Sequence, residues 1–210
     1  MKNENLLFEE NKISSRNKIM LSPRKEYVYK SKSLEIDLKE IKETFEECKD
    51  ELKRQNLPYR NNTKIGVVIE IPAVALMSYE LARECDFFFI DSDSLINYMF
   101  GKKLNKLQLD DMTRKIQLAT MKLIRQTVEG AHDAGIFCGI AGEIVENPLY
   151  IPLLIGAGID QFTVQTDNVL NIRNEISKID KYDCKEFTKE VLILKTTEEL
   201  ENKLRQFRKD

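Results

Sequence analysis

Three stretches of this chain are apolar without alternation: "KIGVVIEIP" (64–72), "CDFFFIDSDSLINY" (85–98) and "IFCGIAGE" (136–143). A strand with one wet face alternates apolar and polar residues. A strand covered on both faces reads as a continuous β-branched and aromatic run, the pattern of parallel sheets. The stretches between them have helical spacing. In 33–52, Leu34, Leu38, Ile41, Phe45, Cys48 and Leu52 fall on one face, with Ser33 placed to cap it. Helices are also expected at 73–85, at 108–135 (stopped by Gly135), at 148–158 and at 167–179. Two more close the chain at 183–192 and 196–208, the last capped by Thr196 or Thr197 ahead of Glu199. Further strands are expected at 17–22, ended by Pro23, and at 160–165. Strand and helix in alternation predict βαβ units, a parallel sheet and outer helices.

Composition narrows the functional classes. The chain has 210 residues, 42% hydrophobic and 32% charged, with a formal net charge of -2. That balance gives no general attraction to nucleic acid or to an anionic membrane surface. The apolar run 151–159 is far too short to span a bilayer, and the polar, acidic start argues against a signal peptide. A cytoplasmic protein is expected, with a flexible segment at 1–16 and one domain over 17–210. Four cysteines without a C-x-x-C pair and a single histidine, His132, argue against a zinc site and for free, mostly buried thiols.

Parallel α/β sheets carry their chemistry at the carboxyl ends of the strands. Glu70, the Asp91/Asp93 pair and Glu143 all fall there. Two readings of Asp91-Ser92-Asp93-Ser94 are open. With Glu70, Asp91 and Asp93 could form an all-oxygen site for Mg²⁺ or Ca²⁺. Alternatively, Asp93 or Ser92 caps a helix starting near Ser94; this is the preferred reading. Glu143 is read as contacting a neighbouring loop or capping residues 144–155. His132 is read as a surface or packing residue, Lys102 and Lys103 as a solvated loop. Gly156 and Gly158 suit a tight turn rather than a phosphate-cradling loop.

The order "IGVVIEIPA", "CDFFFIDSDSLINY", "AHDAGIFCGIAGE", "IPLLIGAGIDQFTV" resembles the PEP-binding domain of the PEP-utilising enzymes, as in enzyme I of the bacterial sugar phosphotransferase system. The resemblance implies a (β/α)8 TIM barrel, of which this chain holds roughly the last five βα units. It implies Mg²⁺ held by Glu70 and by an aspartate in a G-T-N-D-L motif, arginines around the substrate, and a cysteine proton donor in a C-G-E turn. The departures are specific. G-T-N-D-L reads Asp91-Ser92-Asp93-Ser94-Leu95, so Asp93 replaces the asparagine and Ser94 the metal-binding aspartate. C-G-E reads Ala141-Gly142-Glu143, so no catalytic residue is carried over and Ala141 stands in place of the cysteine. Cys138 is out of register to replace it. The matching arginine near Lys103-Leu104, the early strands and the phosphohistidine domain have no counterpart. Asp93 and Glu143 remain as candidate ligand-binding residues, and Glu70, Asp91 and Asp93 as candidate metal ligands with Mg²⁺ as the cofactor. The expectation is a regulatory or interaction module, inactive alone and not binding PEP by itself; the alternatives are a component of a split PEP-dependent phosphotransferase completed by another chain, or a divergent metal or small-molecule binder. Its expected partner is a second copy or a companion chain completing the barrel.

Overall fold

In the computed structural model, the residues described are 18–21, 27–30, 38–101 and 106–207. The expected flexible segment 1–16 and Lys102 and Lys103 lie outside them. The strands are β1 (Lys18–Leu21), β2 (Tyr27–Lys30), β3 (Ile65–Ile69), β4 (Phe87–Asp91), β5 (Phe137–Ala141) and β6 (Gln161–Thr163). They form one sheet in sequence order. β3 to β6 are the parallel centre of four strands; β2 extends it in parallel and β1 adds an antiparallel edge. The parallel expectation thus fails at β1, for a simple reason. Residues 22–26 are all that join β1 to β2, and a parallel return needs a crossover of a dozen residues or more.

The non-alternating runs do face two ways. Val67, Ile69, Phe88, Ile90, Cys138 and Ile140 point into the main core under the helices. Val68 and Phe87 form a second cluster on the opposite face, against Phe89 and Phe137. There the rings lie on glycines. A side chain at Gly66 would collide with the Phe87 ring, and one at Gly139 would sit 3.1 Å from Phe89. Phe87 and Phe137, paired across β4 and β5, stack at 5.1 Å.

The helices are α1 (Leu38–Arg54), α2 (Pro72–Leu76), α3 (Ser78–Leu81), α4 (Ser92–Phe100), α5 (Lys106–Asp133), α6 (Glu143–Glu146), α7 (Ile151–Ala157), α8 (Val169–Ser177), α9 (Lys181–Leu192) and α10 (Thr197–Phe207). The single helix expected at 73–85 is broken at Met77 into α2, α3 and a 3₁₀ turn over Ala82–Glu84. The cause lies fifty residues away. Gly130 of α5 presses against Ser78, which is fully buried. Ser78 Oγ donates to the Gln126 carbonyl at 3.2 Å, and Gln126 Nε2 donates to the Leu76 carbonyl that the break frees, at 3.0 Å. At α10 the sequence expectation holds. Thr196 Oγ1 accepts from the Glu199 N–H at 3.2 Å, and Glu199 Oε2 accepts from the Lys195 and Thr196 N–H groups.

α7 is buried along almost its whole length and crosses α9 at Gly156. A methyl group there would strike the Cys184 carbonyl and Thr188 Oγ1. Alanine gains about 1 kcal/mol of helix propensity over glycine, but a clash with backbone costs about 1–3 kcal/mol. Gly156→Ala is therefore expected to lower stability. Gly101 ends α4 at φ 66 with open space around it, so Gly101→Ala should lose only ~1 kcal/mol of left-handed backbone preference. Denaturant midpoints of the three variants check the order, with Gly156→Ala and its larger analogue Gly156→Val unfolding before Gly101→Ala.

Candidate functional site

β4 passes into α4 with no intervening loop. Asp91 is the last strand residue, paired with Ala141 of β5, and at φ -93, ψ 93 it is also the N-cap of α4. Its Oδ1 accepts from the Ser94 N–H at 3.0 Å and its Oδ2 from Ser94 Oγ at 2.8 Å. The expected cap at Asp93 or Ser92 is thus corrected to Asp91. The helix begins at Ser92, two residues before the expected start, so the residue with extended backbone next to the free N–H groups is Asp91.

Ser92 and Asp93 reach across to the next turn. Ser92 is fully buried, and its Oγ donates to the Ala141 carbonyl at 2.8 Å. Asp93 Oδ1 accepts from the Glu143 N–H at 2.9 Å. Gly142 makes the approach possible. At φ 119 it adopts a backbone that side chains avoid, and a Cβ there would collide with Ser92 Oγ and lie 2.7 Å from Asp93 Oδ1. Asp93 and Glu143 therefore do meet, through the backbone N–H of one and the carboxylate of the other. Glu70, directly after β3, is 5% exposed.

Burial holds the Asp93 carboxyl above the usual carboxylate range; the Glu143 N–H pulls it down, and the charges of Asp91 and Glu143 push it up again. The cysteines are free, with Cys138 and Cys184 buried and Cys48 and Cys85 half-buried. Desolvation pushes the Cys85 thiol up to about 12 and the Cys138 thiol higher still, leaving neither as a ready nucleophile or proton donor. Cys138 also points into the main core, away from the carboxyl-end turn.

Among the described residues, no three His, Cys, Asp or Glu side chains are gathered into a group that could hold a metal ion. Glu70, Asp91 and Asp93 are not brought together as such a shell. Asp91 spends both oxygens on Ser94, and Asp93 spends one on the Glu143 N–H. Ser94, where the resemblance expects a carboxylate, is a hydroxyl that donates to Asp91. This donor set does not fit Mg²⁺. The sequence reading missed the burial of Ser92 and the pairing of His132 with Asp160, whose Nε2 and Oδ2 lie 2.9 Å apart. An apolar run ending in small polar residues signals the first; nothing local signals the second.

The architecture is that of an α/β protein built on a parallel sheet with outer helices, its candidate site at the strand carboxyl ends. The chain belongs to the family described as PEP-utilising enzyme, PEP-binding domain, whose model matches residues 33–181. Among curated proteins it is similar to the phosphoenolpyruvate-protein phosphotransferases of Bacillus subtilis and Mycoplasma capricolum. Identity to the first is 30% over 164 residues, 78% of this chain. Identity to the second is 32% over 168 residues, 80% of this chain. It is also 26% identical over 157 residues to a multiphosphoryl transfer protein of Escherichia coli, covering 75% of this chain and 19% of that protein. The chain spans 29% of the length of the first two relatives. No helix among the described residues is long and apolar enough to cross a membrane.

Asp93 offers a test. Its raised pKa means the folded state holds a proton at pH values where the unfolded chain has lost it. Its contribution to stability therefore falls as pH rises from the usual aspartate range through the raised folded value. Asp93→Asn keeps an oxygen for the Glu143 N–H and cannot ionise. It should equal or exceed the parent in stability at neutral pH, and the advantage should vanish as the pH drops below the usual aspartate range. Asp93→Ala orphans the N–H and should cost ~1–3 kcal/mol. Urea midpoints across pH check both.

Proposed function

We propose that this chain is a PEP-binding-domain homologue that does not catalyse phosphoryl transfer alone and serves as a regulatory or interaction module. The observation that carries the reading is the use made of the carboxyl-end turn. Asp91, Ser92, Ser94 and Asp93 bond to one another and to the β5 turn, and Ala141 offers no proton. PEP brings about three negative charges near neutral pH. Holding them out of water requires paired cations, because uncompensated buried charge costs several kcal/mol. The strand ends here present Glu70, Asp91, Asp93 and Glu143. A missing proton donor alone costs ~10²–10⁴ in rate.

In this reading the sheet is part of a (β/α)8 TIM barrel, about five of its eight units. A second reading is a component of a divided phosphotransferase completed by another chain. A homodimer would be another way to cover the open sides of such a sheet.

Titration with PEP, with and without Mg²⁺, followed by calorimetry and amide chemical shifts, tests both. The module reading expects no saturable PEP binding at the carboxyl-end turn, read as unmoved amide shifts of residues 91–94 and 141–143 whatever heat another surface contributes. Saturable shifts there below about 1 mM PEP with the chain alone sink it, and such shifts that appear only with an added phosphohistidine-domain partner select the divided enzyme.

A further inference from the structure

On the opposite, amino-terminal side of the sheet, α5, α7 and α9 enclose a cleft of about 420 Å³, a volume in the range of small-molecule sites. Its side is fixed by Asp160, which precedes β6 and takes the N–H of Cys138 in β5 at 2.8 Å. The same Oδ2 meets His132 Nε2, so the imidazole is held in one orientation. Arg125 is held more firmly. Its Nε donates to Glu129 at 2.6 Å and its Nη1 to the Gly156 and Ala157 carbonyls at 3.3 and 3.1 Å. Nη2 has no partner among the described residues. Lys181 and Lys185 lie one turn apart on α9 and line the same cleft. Neither is paired with a described residue, although Asp133 lines the cleft too.

The carboxylates of Glu129 and Asp160 are committed to Arg125 and His132. What stays available is a pre-oriented guanidinium nitrogen and two ammonium groups, against one carboxylate, Asp133. The floor is apolar, from Val128 and Ile155, with the Tyr79 ring at the wall. We propose that this cleft binds a small phosphate monoester, its oxyanion taken by Lys181, Lys185 and Arg125 Nη2 and its organic part laid against Tyr79. A guanidinium already immobilised by three bonds loses little further freedom on accepting an oxyanion. The cleft lies away from the carboxyl-end turn, so the inference stands or falls apart from the proposed function.

Phenyl phosphate and inorganic phosphate are titrated into the full chain in phosphate-free, low-salt buffer, followed by amide chemical shifts and calorimetry. Saturable binding near or below about 1 mM is expected, with shifts clustered at the start of α9 and the end of α5, and phenyl phosphate tighter than phosphate. Lys181→Ala/Lys185→Ala removes two exposed side chains, so its unfolding midpoint should match the parent while affinity drops at least about tenfold. Asp133→Asn should bind more tightly. The proposal is overturned by no saturation up to about 20 mM, by equal affinity in the double lysine variant, or by shifts confined to other surfaces.

Discussion

Polar backbone at buried strand ends needs partners, and this requirement organises the molecule. β4 and β5 end at a half-buried turn in which Ser92 is fully enclosed, and the last carbonyl of β5 and an amide just beyond it take side-chain partners. Ser92 and Asp93 meet the need by bonding to the Ala141 carbonyl and the Glu143 amide, and Asp91 does so within its own turn. An unsatisfied buried group would cost ~1–3 kcal/mol, a large fraction of a domain's net stability. Residues that look like a reactive cluster are therefore engaged in keeping two neighbouring units in register.

That engagement bears on the family relationship. The PEP-binding domain is the family of this chain, yet where the resemblance expects a carboxylate the turn has the hydroxyl of Ser94, and where it expects a glycine, three residues earlier, it has Asp91. The two changes fit one another: the new acceptor receives the new donor. An acid at 94 beside Asp91 would set two like charges in contact. The turn is internally consistent as a helix cap and inconsistent as a cation site.

Much of the architecture was legible because it rests on local pattern. The apolar stretches within 64–72, 85–98 and 136–143 identified strands covered on both faces. Thr196 or Thr197 ahead of Glu199 placed the start of α10 to within one residue. What failed depended on distant partners. The break at Met77 is imposed by Gly130 and Gln126, which no inspection of 73–85 reveals. β2 is a four-residue strand whose place is set by β3. The cap moved to Asp91 because the strand runs straight into the helix, a property of the sheet register rather than of composition. The carboxyl-end residues were singled out correctly as a group, while their bonds became visible only once β4 and β5 stood side by side.

The direct passage from β4 to α4 also has an evolutionary consequence. Its residues can be exchanged for others of suitable polarity, but none can be added. One extra residue would rotate every later α4 side chain by about 100° and turn Leu95 and Ile96 out of the core. Diversification of this segment is thereby confined to substitution, and insertions should accumulate instead in the connections that end at open surface.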